Sequence, residues 1–168
     1  MKKFLKIFFI ILVALSALIP VIAQDNFVLK TGVSIEEIPK AIFGSWSVKA
    51  AIVESSNYKL FKPKSNDLWN ISRNGNVLNL SNPFTGASAD VSINAAEGNV
   101  VSFTRVADFD NKKLTDVVII RLNENTFSGI NNIKLEQYSL VDGHLLNSDT
   151  ARYEIKGEKL SGGNVLEN

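Results

Sequence analysis

Residues 69–80 read WNISRNGNVLNL and contain the clearest β-hairpin pattern in the chain. At its centre is Asn74-Gly75, a pair strongly favoured in the two-residue turns of β-hairpins. Apolar and polar side chains alternate on both sides of this pair, as they do in strands that bury one face. With Asn74-Gly75 as the turn, Ile71 pairs with Leu78, so apolar side chains meet across the ladder. Turn chemistry and hydrophobic pattern therefore predict the same antiparallel hairpin.

The sequence on either side keeps this two-residue rhythm in short segments separated by turn residues. Glu97-Gly98-Asn99 is a predicted three-residue loop that places Ala95 opposite Val101. Asp142-Gly143 is a second predicted two-residue turn, which joins the strands on either side of it. Residues 129–132 indicate a bulge or an irregular excursion. Helical periodicity is nearly absent, so the pattern is typical of an all-β sandwich or barrel.

Upstream of the hairpin, the sequence predicts one helical turn at residues 39–43 and then the first strand. Alternation in that strand puts four side chains on one face: Trp46, Val48, Ala50 and Ile52. The whole pattern indicates eight to ten strands joined mostly by tight turns, with no crossover helices. We therefore predict an all-β, antiparallel up-and-down meander closed into a lipocalin-like barrel, because closure removes exposed strand edges.

The first 23 residues have the layout of a secretory signal peptide that is cleaved after Ala23. Three lysines precede an apolar run from Ile7 to Ile19, which only Ser16 interrupts, and Pro20 follows it. The apolar stretch up to Ala23 is 17 residues long, at the short limit for crossing a bilayer, so an uncleaved anchor is the alternative. We expect a secreted or periplasmic bacterial protein with no stable membrane insertion after cleavage.

Composition bounds the rest of the chain. Without residues 1–23, 145 of the 168 residues remain, which is the size of one domain. We divide them into an irregular lead-in at 24–38, a single β-barrel domain at 39–160 and a flexible tail at 161–168. The chain has no cysteine, which excludes disulfides and a bacterial lipid anchor. The full chain has 18 Lys+Arg against 17 Asp+Glu, and removal of residues 1–23 with their three lysines leaves 15 against 17, a formal charge of −2, which argues against nucleic acid as a partner.

A tripeptide at the start of the first strand, Gly44-Ser45-Trp46, follows the predicted helical turn, and a long connection comes after that strand at residues 54–66. Together with the meander of tight hairpins, these features resemble the lipocalin-like (calycin) barrels over residues 39–156. The resemblance implies a barrel whose interior can hold a ligand and whose extended first connection acts as a lid.

Two departures limit the resemblance to the architecture. The family's second signature, Thr-Asp-Tyr, is echoed only by Thr115-Asp116-Val117, which lies inside a strand rather than at its end. The family also packs an arginine over the first-strand tryptophan, here Trp46, and the candidate is Arg152. Strand alternation, however, places Arg152 on the face opposite Tyr153. We therefore expect a lipocalin-like barrel rather than a true lipocalin.

Motifs for catalysis and for metal binding are largely absent. The one histidine, His144, follows the Asp142-Gly143 turn, and we interpret it as an exposed hairpin residue. A zinc site or a histidine-based triad needs more partners than this. Neither a Gly-x-Ser-x-Gly elbow nor a phosphate loop occurs. We expect no enzyme activity, no metal and no cofactor, with a hydrolase that uses two carboxylates as the least favoured alternative.

A charged pair is the most specific candidate for a ligand site. The predicted turn at Asp110-Asn111 sets Arg105 opposite Asp116, on the face that carries Phe103. If that face lines the barrel, the pair lies in an apolar cavity and can anchor a ligand carboxylate or hydroxyl. The alternative is a structural ion pair between two strands, or a pair on the solvated face.

Four further residues complete the predicted ligand site. Trp69 and Ile71 share one face of the hairpin, where they either line a cavity or fill the core. Tyr58 and Phe61 lie in the long first connection, where they either cap one barrel end or pin the loop to the surface. We expect a non-catalytic protein that binds a small apolar or amphipathic ligand. The alternative is an envelope-associated protein-interaction or structural β module without a ligand cavity.

Overall fold

The computed structural model describes residues 33–162, so the predicted signal peptide at 1–23 lies outside the described residues. Two short 3-10 turns, Ile35–Glu37 and Lys40–Ile42, come before the strands. The strands are β1 (Gly44–Ser55), β2 (Lys64–Asn74), β3 (Val77–Ser81), β4 (Ser88–Glu97), β5 (Val100–Phe109), β6 (Lys112–Asn123), β7 (Thr126–Tyr138) and β8 (Leu145–Gly162).

The strands form a closed antiparallel barrel. Each strand pairs with the next one in the chain, and β8 pairs with β1. This confirms the predicted all-β up-and-down meander and leaves no strand edge open around the wall. The β1–β2, β3–β4, β5–β6 and β7–β8 connections lie at one end, which we call the open end. The 3-10 turns and the other three hairpins lie at the opposite, closed end.

The β2–β3 hairpin is present, but its turn lies one residue later than predicted. The turn residues are Gly75-Asn76, so Ile71 pairs with Leu80 rather than with Leu78. Gly75 has a φ of +57°, which glycine adopts without steric cost. The register therefore moves by two residues. Because the faces of a strand alternate with period two, the same side chains still point inward.

The β4–β5 hairpin also differs from the prediction, because β4 contains a bulge at Asn94. The turn is the two-residue Gly98-Asn99 rather than a three-residue loop. Ala96, not Ala95, therefore pairs with Val101 and packs in the core. One extra residue in a strand moves the inward-facing position by one, and alternation alone does not reveal it.

Two predictions near the last strands are wrong. Residues 129–132 do not bulge, because β7 pairs with β6 in one continuous register. Asp142-Gly143 does not form a two-residue turn but lies in a six-residue loop at 139–144. The hydroxyl of Ser139 accepts a hydrogen bond from the N–H group of Val141 at 3.2 Å. Such bonding between a serine side chain and nearby backbone favours a wider loop over a tight turn.

The 3-10 turns cover the closed end and bury apolar side chains there. The helical turn predicted at 39–43 is confirmed as Lys40–Ile42. Ile35 and Ile42 are 4% and 0% exposed, and Trp46 above them is fully buried. The indole Nε1 of Trp46 donates a hydrogen bond to the carbonyl oxygen of Ile42 at 2.8 Å. This bond satisfies the buried indole N–H and ties the first strand to the cover.

The cation over Trp46 comes from Lys159, whereas Arg152, the candidate that strand alternation placed on the opposite face, does not supply it. Lys159 pairs directly with Trp46 where β8 meets β1. Its Nζ lies 5.2 Å from the centroid of the indole ring and donates to the carbonyl oxygen of Ala41 at 2.9 Å. Arg152 is exposed, as its alternation with buried Tyr153 indicates. A lysine, from another position in β8 than Arg152, therefore supplies the cation over Trp46.

Candidate functional site

A cavity lies inside the barrel, between its aromatic core and its open end. Its volume is about 180 Å³, and every strand except β4 contributes to its wall. Most of the wall is apolar and consists of Val48, Ala50, Leu80, Val118, Ile133 and Ile155. The inward-facing positions are therefore too small to fill the barrel at this level, whereas buried side chains such as Ile42 and Trp46 occupy the interior at the closed end.

Aromatic rings form the floor of the cavity. Trp69 stacks on Phe127 with the ring centroids 5.9 Å apart and meets Phe103 edge to face at 6.5 Å. Phe127 packs in turn against Trp46, with the centroids 5.1 Å apart. Gly157 makes room for this cluster, because a Cβ atom there would lie 2.1 Å from Phe127 Cε1. Rings packed this closely give the cavity a rigid apolar base.

Arg105 and Asp116 form the predicted cross-strand pair, and both side chains line the cavity. Arg105 Nη2 donates a hydrogen bond to Asp116 Oδ2. Asp116 is only 4% exposed, whereas the side chain of Arg105 keeps 35% of its surface exposed. Burial raises the pKa of Asp116 above its ordinary value, and the charge and hydrogen bond of Arg105 offset this only in part. The carboxyl group therefore sits where water barely reaches.

Two buried oxygen atoms of the wall have no hydrogen-bond partner within residues 33–162: Asp116 Oδ1 and Asn131 Oδ1. In the β6–β7 pairing, Asn131 is opposite Val118 and Asp116 is opposite Ile133. The two polar side chains are thus diagonal neighbours on the inner face of the barrel. A buried acceptor without a donor costs about 1–3 kcal/mol. The arrangement therefore offers acceptors to a molecule in the cavity.

Asp67 stands at the mouth of the cavity with its own hydrogen bonds already made. Its Oδ2 accepts from Trp69 Nε1 at 3.1 Å, and its Oδ1 accepts from the N–H group of Leu68 at 2.8 Å. The side-chain amide of Asn82 also donates to Oδ1. These bonds fix the orientation of the indole ring. Asp67 therefore positions Trp69 rather than offering a free acceptor.

The predicted ligand residues lie at different depths. Those that line the cavity are Trp69, Phe103, Arg105 and Asp116. Ile71 is 2% exposed in the core and is not part of the cavity wall. Phe61 packs into the core from the β1–β2 connection, whereas Tyr58 in the same connection is 63% exposed. The hydroxyl of Tyr153 donates to the carbonyl oxygen of Lys62 at 2.9 Å and so ties this connection to the barrel.

The sequence did not point to three of the polar cavity residues, Ser65, Asp67 and Asn131. Because a bulge was predicted at 129–132, strand alternation could not assign Asn131 to the inner or the outer face. If β7 is instead treated as a regular strand from Phe127 onward, strand alternation places Asn131 on the inner face and so identifies it as a cavity residue. Asp67 precedes Trp69 by two residues and so shares its face.

Other chemistry-bearing groups lie away from the cavity. His144 is exposed in the β7–β8 loop, with its Nδ1 2.5 Å from Asp142 Oδ1. The described part of the chain contains no group of three or more His, Cys, Asp or Glu side chains placed to hold a metal ion. Within the same residues, no helix has the length and apolar character needed to cross a membrane.

The strand pairing defines the class: a closed, eight-stranded antiparallel β-barrel, consistent with a calycin-like barrel. The chain matches no protein-family model, no curated protein and no solved structure. The function therefore has to be argued from the cavity and its residues.

Proposed function

We propose that this protein is an exported bacterial binding protein of lipocalin-like architecture, which holds a small, mostly apolar molecule in its barrel without covalent chemistry. The cavity is the observation that carries the proposal. Its mostly apolar wall and aromatic floor include five polar side chains from β2, β5, β6 and β7, and an apolar lining with a few polar groups is the usual composition of a small-molecule site. A barrel that serves only as a scaffold is expected to fill this space with side chains.

The size of the cavity bounds the size of the ligand. A cavity of about 150 Å³ in another protein holds benzene. Pockets for drug-sized ligands measure roughly 300–1,000 Å³. With about 180 Å³, this cavity fits one ring or a short chain and is too small for a whole lipid. We therefore narrow the ligand to a compact molecule of about one ring.

Two neighbouring alanines of β1 provide a matched test. Ala50 lines the cavity, whereas Ala51 is exposed on the outer face. We expect Ala50→Leu to abolish binding because the added carbons occupy the cavity, and Ala51→Leu to leave binding unchanged. Isothermal titration of toluene and phenol, with native mass spectrometry for co-purifying molecules, measures this. If no compound of this size binds the wild-type protein, or if both variants bind equally well, the cavity is not a binding site.

The export part of the proposal rests on the layout of residues 1–23 and has its own test. We expect the protein purified from a bacterial host to begin at Gln24 and to fractionate outside the cytoplasm. Recovery of the uncut chain in the membrane fraction would support the anchor instead.

A second candidate function is that of an envelope-associated protein-interaction module, and the exposed apolar side chains at the open end favour it. Phe84, Leu140 and Val141 are 86%, 85% and 95% exposed at the tips of their loops. Charges of both signs lie at the same end of the barrel, such as Lys59 in the β1–β2 connection and Asp142 next to Val141 in the chain. This mixture suits the polar rim of a protein interface better than the uniformly basic surface that attracts anionic lipid.

Photo-crosslinking in living cells tests this second function. A crosslinker at Val141 should give one reproducible adduct with an envelope protein, and the double variant Phe84→Ser/Leu140→Ser should lose it. The control is a crosslinker at Val77, which is 40% exposed at the closed end. Equal adducts from both positions, or none from Val141, would exclude the module.

A further inference from the structure

We infer that the cavity selects a molecule with a neutral hydrogen-bond donor, a hydroxyl or an N–H group, and that Asp116 and Asn131 receive it. The inference rests on the proposed function, since it concerns the same cavity. It goes further by assigning the chemical class of the ligand's polar group and by naming the residues that recognise it.

The unpartnered oxygens are the first reason. Asp116 Oδ1 and Asn131 Oδ1 are both buried acceptors without a donor within residues 33–162. Both residues belong to the cavity wall, and Asp116 is 4% exposed. Carboxylate and amide oxygens accept hydrogen bonds, so their natural partner in the cavity is a donor. A ligand that has only acceptors, or no polar group, leaves both oxygens unpaired.

The charge of the wall is the second reason. Arg105 and Asp116 are paired and together carry no net charge, and the third charged residue of the wall, Asp67, is exposed at the mouth, where water and salt screen it. An anionic ligand lies beside the carboxylate of Asp116 as well as the guanidinium of Arg105, so it gains no net attraction that offsets its lost hydration. A cationic ligand meets a carboxylate whose charge Arg105 already balances. The attraction is therefore too weak to offset the hydration free energy that the ligand loses. A neutral donor forms the hydrogen bond without this desolvation cost.

The layout of the wall orients such a molecule. The acceptors come from β6 and β7, whereas the rings of Trp69 and Phe103 come from β2 and β5. A molecule of one ring and one donor therefore places its donor toward β6 and β7 and its ring on the aromatic floor. The two unpartnered oxygens and the two rings thus lie on different strands, while Ser65, Asp67 and Arg105 add polar groups beside the rings; a few such groups set ligand orientation in small-molecule sites.

A series of compounds of similar size tests the inference by isothermal titration. The compounds are toluene, phenol, benzylamine and benzoate, which have no donor, a neutral donor, a cation and an anion. We expect phenol to bind about tenfold more tightly than toluene, because toluene leaves the buried oxygens unpaired. Benzylamine and benzoate should both bind more weakly than phenol.

Adjacent asparagines of β7 provide matched variants. Asn131 lines the cavity, and Asn132 is exposed on the outer face. Asn131→Leu should lower the ratio of phenol to toluene affinity by about fivefold, the worth of one hydrogen bond. Asn132→Leu should leave the ratio unchanged. The double variant Arg105→Met/Asp116→Leu removes the charged pair as a unit and should bring the ratio close to one.

The outcomes separate the inference from the proposed function. If toluene and phenol bind the wild-type protein equally well, the cavity is a binding site but the donor selection is wrong. If benzylamine binds most tightly, the donor is a cation and the inference is overturned. If none of the four compounds binds, the proposed function fails as well. A crystal structure of the phenol complex with the hydroxyl away from Asp116 and Asn131 also overturns the inference.

Discussion

Gly157→Ala is expected to destabilise the barrel, although alanine normally suits a strand better than glycine. A Cβ atom on Gly157 would lie 2.1, 2.4 and 2.6 Å from three carbons of the Phe127 ring. Contacts this short cannot persist, so the ring has to move. Phe127 is 3% exposed and packs against both Trp46 and Trp69. Its displacement therefore disturbs the whole aromatic floor.

Two opposing effects set the magnitude. Overpacking of a core costs about 1–3 kcal/mol. Replacing a glycine within a strand by alanine otherwise raises the free energy of unfolding by about 0.5–1 kcal/mol. We therefore expect the free energy of unfolding to fall by about 1–2 kcal/mol, and the Tm to fall by about 3–8 °C. Urea unfolding followed by tryptophan fluorescence measures the first quantity, and near-ultraviolet circular dichroism reports the disturbed rings.

The same substitution elsewhere in β8 is the control. Gly162 has no atom within 4 Å of an added Cβ, so Gly162→Ala should be neutral or slightly stabilising. Shrinking the ring should rescue the variant: Phe127→Leu/Gly157→Ala should be about 1 kcal/mol more stable than the sum of the single changes predicts. Unchanged stability of Gly157→Ala, or strictly additive effects, would refute the packing described for Phe127.

Two further predictions concern charged groups. The free energy of unfolding of the wild-type protein relative to Asp116→Asn should fall as the pH rises from about 4 through the raised pKa of Asp116, because the folded state holds this proton more tightly than the unfolded chain. The lowered pKa values of Glu36, Glu136 and Asp142 act in the opposite direction but equally in both proteins, so a difference that rises over this range would show that Arg105 outweighs burial. Lys159→Met should lower the free energy of unfolding by about 1–2 kcal/mol, because it removes the cation over Trp46 and the hydrogen bond to the carbonyl oxygen of Ala41. The control variant Arg152→Met should leave the free energy of unfolding unchanged.

Local turn chemistry predicted much of the fold. The Asp110-Asn111 turn and an unbroken alternation set the β5–β6 register correctly, and with it the pairing of Arg105 with Asp116. The β2–β3 register was wrong by two residues because turns at Asn74-Gly75 and Gly75-Asn76 bury the same face. Period-two patterns cannot distinguish registers that differ by two. The side chains that point into the barrel were therefore predicted correctly for this hairpin, whereas the residues that pair across it were not.

Residues whose position depends on bulges or on distant strands could not be predicted. The bulge at Asn94 moves the core position from Ala95 to Ala96 without any mark in the alternation. The contact of Lys159 with Trp46 depends on the pairing of the first strand with the last, which no turn specifies. The cavity itself depends on the summed volume of side chains from seven strands, a quantity that no local pattern contains.

The junction of β1 with β8 has a consequence for how the chain reaches its native state. It joins residues 96 to 118 positions apart, whereas every other strand pair is a hairpin between neighbours. Contacts of such long range form slowly, since much of the chain must be ordered to bring the ends together. Until residues 145–162 have emerged from the ribosome or a translocation channel, the first seven strands present two unprotected edges. Premature termination before β8 should therefore yield a species prone to self-association, and completion of folding should await the arrival of the last strand.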